Sequence, residues 1–258
     1  MSPPGVFVKA ALGFLVACTW TVSSFLIVPR RHRASSSISL ASEEATGEVL
    51  PNKYWVDIYK DETNKIPWDI GGAQPQVMEE AAENSFRGLS ILDCGCGKGE
   101  NAEHILSDQG GASSLVGFDL SPAAVAIARE RKLKSAYFHA ASATDLLSTN
   151  EIQERGPFDV ALDSALLHCL SDEDAQRYVD GVAKLLKKNG KFFVGCFSDQ
   201  NPDPWSNPRR LSEERLRRLL EDSFKVESIE SVWWARPDER GSNQGSFCLA
   251  YWVKSTRK

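Results

Sequence analysis

From Gln76 onward, short apolar runs alternate with stretches whose apolar residues recur at helical spacing. The runs Ser90–Asp93, Ser114–Asp119, Ala136–Ala140, Phe158–Asp163 and Lys191–Phe197 are too short for helices, so they predict strands. Between them, helices are predicted over Gln76–Phe86, Glu100–Gln109, Pro122–Leu133 and Ser171–Leu186, with another at Ser212–Leu220. Ser121-Pro122 starts one helix with proline at its first position. Ser171 with Asp174 three residues on resembles a capping arrangement. Asn189-Gly190 is expected to end that helix. Lys225–Val232 and Ser246–Val253 are rich in β-formers and flank a polar loop, which predicts a terminal antiparallel pair. Alternation of strand and helix implies an α/β fold, a doubly wound, mostly parallel sheet with helices on both faces. The seven runs predict seven strands. No internal repeat is visible.

The turn after the first strand carries the strongest chemical signal. It reads Asp93-Cys94-Gly95-Cys96-Gly97-Lys98-Gly99-Glu100, an acid, then glycine at every second position, then a helix start. Glycines let the backbone turn sharply and approach a ligand closely. A turn at the carboxyl end of an α/β strand is where nucleotide-like ligands bind. Asp93 and Glu100 bracket the glycines and oppose a pyrophosphate; they favour a ligand bearing an ammonium and a sulfonium, as S-adenosyl-L-methionine does. Asp119 ends the next strand about two dozen residues on, a spacing from which an acid reaches a ribose diol.

These two motifs resemble those of the class I S-adenosylmethionine-dependent methyltransferases, from about Trp55 to the chain end. The resemblance implies a Rossmann-like methyltransferase fold, and a terminal antiparallel pair is usual in that class. It also implies that Asp93, Gly95 and Gly97 line the methionine part of the cofactor and that Asp119 holds the ribose hydroxyls. Before the first strand, Trp55, Tyr59, Pro67-Trp68-Asp69-Ile70-Gly71 and Pro75 combine aromatics with Pro and Gly punctuation, which suits an ordered lid over Asn52–Val77. This arrangement looks like the thiopurine, thiol and halide methyltransferase branch, and it implies that Trp68 lies against the cofactor. The stretches Phe158–Leu170 and Phe193–Asp199 look like bacterial small-molecule methyltransferases of that branch, including ones acting on quinols or phenols. The chain departs from the branch at Gly72 and Ala73, where a basic residue and a proline are common. It departs from the class at Ser142-Ala143, where an acid usually faces the adenine; Ser142 is a candidate adenine contact through its hydroxyl.

Methyl transfer needs positioning more than dedicated catalytic groups. His168, after the fourth strand, is a candidate general base for a phenol, thiol or hydroxyl, with a structural histidine bonded to a carbonyl as the other reading. Asp163 is a candidate for holding the cofactor ammonium, or else caps the turn that follows it. The expected function is methyl transfer to a small-molecule acceptor: a phenol or quinol hydroxyl, a thiol or a halide. The alternative is a cofactor-binding interaction module that has lost catalysis. A nicotinamide dehydrogenase is disfavoured by the acids, and Gly99 falls one place short of the third glycine of G-x-G-x-x-G.

Composition adds the surroundings. The 258 residues are 42% hydrophobic and 25% charged, ordinary for a chain with one sizeable core. Residues 1–42 hold Lys9, Arg30, Arg31 and Arg33 and no acid, leaving 26 basic against 35 acidic side chains in the remainder. So acidic a body is unsuited to binding nucleic acid. A monomer is expected, with membrane contact only through a retained leader. Residues 1–45 read as that leader and its linker, and 46–258 as the methyltransferase domain. Ala10–Val28 is an uncharged, mostly apolar stretch of 19 residues, with Val22-Ser23-Ser24 as a candidate cleavage site. Arg- and Ser-rich sequence follows it, and Phe25 resembles the start of the transit portion in two-part plastid presequences of algae with secondary plastids. Plastid targeting, a retained membrane anchor and simple secretion are the three readings. Cys94 and Cys96 fall in the glycine turn and lack a second pair at metal-ligand spacing, so no metal is assigned. Buried free thiols are expected, which suits a reducing compartment.

Overall fold

Seven strands form one sheet in the order β3-β2-β1-β4-β5-β7-β6. The computed structural model describes residues 47–61, 65–204, 207–237 and 246–258, all within one unit that spans Leu40–Lys258. The leader expectations for residues 1–45 fall outside the described residues. Among the described residues no helix is long and apolar enough to cross a membrane.

In chain order the elements are α1 (Asn52–Asp57), α2 (Pro75–Ala82), β1 (Ser90–Cys94), α3 (Glu100–Leu106), β2 (Ser114–Asp119), α4 (Pro122–Glu130) and β3 (Ala136–Ala140). A 3-10 turn at Ala143–Ser148 and α5 (Asn150–Gln153) lead to β4 (Phe158–Ser164). A second 3-10 turn at Leu167–Cys169 precedes α6 (Asp172–Leu185), β5 (Leu186–Phe197), α7 (Glu213–Leu220), β6 (Phe224–Arg236) and β7 (Ser246–Arg257). Strands β1 to β5 are parallel; β7 runs antiparallel to both β5 and β6. The expected seven-stranded, mostly parallel sheet with an antiparallel pair is therefore what forms.

Alternation along each strand splits the core into two layers. Leu92, Val116, Ala161 and Phe192 face one layer with Tyr178, Val182 and Leu216 from α6 and α7. Ile91, Leu115, Val160 and Phe193 face the other with Val77, Ile105 and Val125 from α2, α3 and α4. Both faces of the central strands are covered, so they read as continuous apolar runs. Ser121, Ser171 and Ser212 each accept a backbone N–H three residues on, from Ala124, Asp174 and Arg215, and thereby start α4, α6 and α7.

Several bounds differ from expectation. Helix α2 stops at Ala82 because Asn84 takes a left-handed φ of 62°; Phe86 is a core anchor beyond that turn. Helix α4 stops at Glu130 before Lys132, whose φ is 51°. Asn189-Gly190 lies inside β5, where register jumps from Phe158↔Leu186 to Val160↔Lys191, instead of separating helix from strand. Strand β6 continues four residues past Val232, to Arg236.

The chain winds outward from β1 through β2 to β3, then returns to β4 on the other side of β1. That reversal leaves a gap between the loops following β1 and β4, the position at which doubly wound sheets bind their ligands.

Candidate active site

A crevice of about 530 Å³ opens there. Its walls come from the glycine turn, the ends of β2 and β4, the loop after β3, the end of β6 and the segment from Asn52 to Gln74. Gly95 and Gly97 line it with φ of 68° and 52°. A Cβ at Gly95 would lie 3.1 Å from Leu166 Cβ, and one at Gly97 would lie 3.3 Å from Tyr59 Oη. Left-handed backbone and close neighbours together require glycine at both positions.

Asp119 lines the crevice and organises the turn. Gly97 N–H donates to its Oδ2 at 3.0 Å, and Ser121 N–H donates to its Oδ1 at 2.8 Å. Burial pushes its carboxyl upward, and the two amides act against that. Asp93, two residues before Gly95, is 1% exposed and, like Asp163, is not among the residues lining the crevice; unlike Asp163, neither of its oxygens has a hydrogen-bond partner among the described residues. Burial, then the charges of Asp119, Asp163 and Glu100, raise its carboxyl to about 7. An orphaned buried carboxylate is costly and calls for a donor.

Two sequence expectations are corrected by their hydrogen bonds. Asp163 is fully buried and does not line the crevice; it accepts the N–H of Leu166 at 2.7 Å, the N–H of Leu167 at 3.0 Å and the Tyr178 hydroxyl at 2.8 Å. Its acceptor capacity is used inside the protein, so it caps the 3-10 turn and is not presented to a ligand ammonium. Glu100, expected to bracket the glycines and repel a phosphate, is bonded to Arg131 Nη2 at 2.8 Å and faces Lys98 Nζ at 3.5 Å. The negative field at the glycine turn therefore rests on Asp93 and Asp119.

The described residues of the aromatic segment lie along the crevice as a lid. Trp55 and Trp68 both line it, with ring centroids 5.4 Å apart. Trp68 Nε1–H donates to Tyr59 Oη at 3.1 Å. Lys98 pairs with Asp69, and Gln74 N–H donates to Asn101 Oδ1 at 3.1 Å, so two contacts tie the lid to the glycine turn and α3. Ser142 also lines the crevice. Its Oγ accepts the Thr144 N–H at 3.3 Å and shares a 2.9 Å bond with Thr144 Oγ1, which starts the first 3-10 turn.

His168 lines the crevice but is 2% exposed. Phe197 N–H donates to its Nδ1 at 3.0 Å, and its ring stacks on Phe197 at 4.4 Å and 10°. Burial and then Arg209 depress its pKa to about 3. The structural reading expected a bond to a carbonyl; the bond goes to an amide instead, which reverses the ring's role from donor to acceptor at Nδ1.

Sequence reasoning missed Phe197, Trp234 and Arg236, which also line the crevice; Gln74 Nε2 donates to Ala235 O at 3.1 Å, so the end of β6 adjoins the lid segment. Trp234 and Arg236 share a face by the two-residue period of a strand, but the signal for strand stopped at Val232. Trp234 fits because Gly195 is bare: a Cβ there would lie 2.2 Å from the indole.

Three solved structures show the same fold. One, from work on conversion of a disulfide bond into a thioacetal group during echinomycin biosynthesis, is 24% identical, with TM-score 0.67 over 81% of this chain and 93% of that one. The 1,6-didemethyltoxoflavin-N1-methyltransferase of Burkholderia thailandensis, solved with 1,6-didemethyltoxoflavin and S-adenosylhomocysteine, is 22% identical, with TM-score 0.51 over 71% and 77%. The N-methyltransferase NodS of Bradyrhizobium japonicum, solved with S-adenosylhomocysteine, is 13% identical, with TM-score 0.57 over 80% and 97%. Residues 91–190, which hold the glycine turn, Asp119, Ser142 and His168, match the family model described as methyltransferase domain.

Proposed function

We propose that this protein methylates a small-molecule acceptor: a thiol, a phenol or quinol hydroxyl, or a halide. The observation that carries the reading is the negative field at the glycine turn, where Asp93 sits buried with both oxygens unpartnered, beside Asp119. That field suits a ligand with an ammonium and a sulfonium and opposes a pyrophosphate. When bound, S-adenosylmethionine supplies the electrophilic methyl group. Gly95 and Gly97 would let its methionine end approach the backbone, Asp93 would answer the ammonium, and Asp119 would take the ribose hydroxyls. Ser142 would meet the adenine, and Trp68 would face the sulfonium. An aromatic face beside a dry cation contributes on the order of 1–2 kcal/mol.

A small acceptor is favoured by the enclosure. The lid, Trp234 and Phe197 leave about 530 Å³ for cofactor and acceptor together. The tryptophan lid and its Pro-Trp-Asp-x-Gly sequence support the thiol-, thiopurine- and halide-methylating branch. The test is calorimetry with S-adenosylhomocysteine and NAD, followed by methyl-labelled cofactor with thiol, phenol and halide acceptors. Binding of S-adenosylhomocysteine but not NAD, with label transferred to an acceptor, is the expected result. NAD binding alone sinks the cofactor assignment; cofactor binding without transfer favours an inactive module.

A further inference from the structure

We infer, resting on the methyl-transfer reading above, that the acceptor enters the crevice already ionised, as a thiolate or an acidic phenolate, and that His168 receives it as a hydrogen-bond donor through Nε2. A neutral imidazole carries one N–H and one lone pair. The lone pair of His168 is committed at Nδ1, where the Phe197 amide donates at 3.0 Å. The ring proton is therefore on Nε2, which has no partner among the described residues and belongs to a side chain that lines the crevice. Taking a proton at Nε2 would give either a cationic ring or an Nδ1–H tautomer. Each would set two N–H groups head to head at Phe197. The stacked Phe197 ring leaves little room to turn away.

A second observation gives the sign of the charge. Arg209 packs beside His168, is 6% exposed, and has Nε and Nη2 buried with no partner among the described residues. Its Nη1 bonds to Asp172 Oδ1 at 2.8 Å, but Arg215 shares that same oxygen at 3.1 Å. Two guanidiniums on one carboxylate leave an excess positive charge near His168, which favours an anion beside it.

The other ionisable groups of the crevice supply no base at that wall. The Cys169 thiol bonds to Ala165 O at 3.3 Å, and burial pushes it upward. The Tyr59 hydroxyl accepts from Trp68 and is likewise pushed upward by burial. Lys98 pairs with Asp69, Arg131 pairs with Glu100 at 2.8 Å, and Asp119 holds two amides. At the outer edge, Asp174 faces Arg177 at 3.7 Å, and Arg236 faces Asp203 at 3.4 Å. In the transfer, a lone pair of the anionic acceptor forms the bond to the methyl carbon. The carbon–sulfur bond breaks with its pair going to sulfur, so acceptor and sulfonium both become neutral and no proton moves.

The test uses the full protein with S-adenosylhomocysteine bound and histidine labelled with nitrogen-15, the His168 signal being assigned from its loss in His168→Gln. A neutral ring with its proton on Nε2 down to about pH 5 is expected. A proton on Nδ1, or titration between about pH 6 and 7, overturns the inference. Turnover of substituted thiophenols of graded acidity adds a second readout. The inflection in the kcat/KM profile should move with the acidity of each thiophenol. An inflection fixed near the ordinary imidazole range and abolished in His168→Gln would mean that His168 is a base, and would overturn it. His168→Leu should raise KM by about tenfold more than it lowers kcat; a kcat loss recovered at high pH would count against the donor role. If the cofactor product binds but no thiophenol is methylated, the methyl-transfer reading fails, and the tautomer measurement still decides what His168 does.

Discussion

Two carboxylates at the glycine turn make separable predictions. The Asp93 carboxyl is raised to about 7 from 3.8, so between those values the folded state binds a proton that the unfolded chain lacks. Its contribution is fully favourable below about pH 4 and is lost as pH rises through about 7. Asp93→Asn should therefore gain melting temperature relative to wild type at pH 8 and little at pH 5, as read by thermal denaturation. The same variant should lose the rise in S-adenosylhomocysteine affinity that wild type shows as Asp93 ionises. His168 acts with the opposite sign: depressed from 6.5 to about 3, it costs stability as pH falls below about 6.5. Asp119→Ala should weaken cofactor binding about ten- to hundredfold in calorimetry, the scale of one or two charge-assisted hydrogen bonds. An unchanged affinity in a folded variant would remove Asp119 from the site. The positions of Asp93 and Asp119 were legible in sequence because they follow from strand ends and spacing. For Asp163, capping was one of the two sequence readings, its amide donors lying three and four residues on; the Glu100 pairing was not legible, since Arg131 lies far along the chain, just past α4.

At the scale of elements, strands were more legible than helix ends or the lid. Strand β2 and β3 bounds follow from apolar runs, whereas α2 ends at the left-handed Asn84, a backbone state that the buried Phe86 conceals in the pattern. The lid was readable as aromatic and ordered, but its ties were not. Lys98 pairs with Asp69 across nearly thirty positions. Trp68→Ala should raise the Michaelis constants for cofactor and acceptor together, because the indole faces the crevice and is bonded to Tyr59. A change confined to one substrate would place Trp68 in only one half of the site. Gly97→Val should abolish binding of S-adenosylhomocysteine, since φ is 52° and the new side chain would press on Tyr59 Oη. Retained binding there would mean that the turn does not approach the ligand.

Across the whole molecule, topology was the most legible property, because strand–helix alternation leaves few right-handed arrangements of a parallel sheet. The crevice wall formed by the end of β6 was the least legible. Trp234 and Arg236 arrive there only because β6 outruns its recognisable pattern and Gly195 leaves room for the indole. A protein beginning at Gly47 should fold and bind S-adenosylhomocysteine, since every described crevice residue lies beyond that point. Absence of both a thermal shift and binding heat would show that earlier residues are required.

The crevice draws its walls from Asn52 through to Arg236. On a ribosome, the lid is therefore made first, while β6, which carries Trp234 and Arg236, is the next-to-last strand to be made. A nascent chain can assemble β1 to β4 and still lack a closed site. Protection of the growing chain by cofactor against protease should consequently appear as a single late step, once β6 and β7 have emerged and paired.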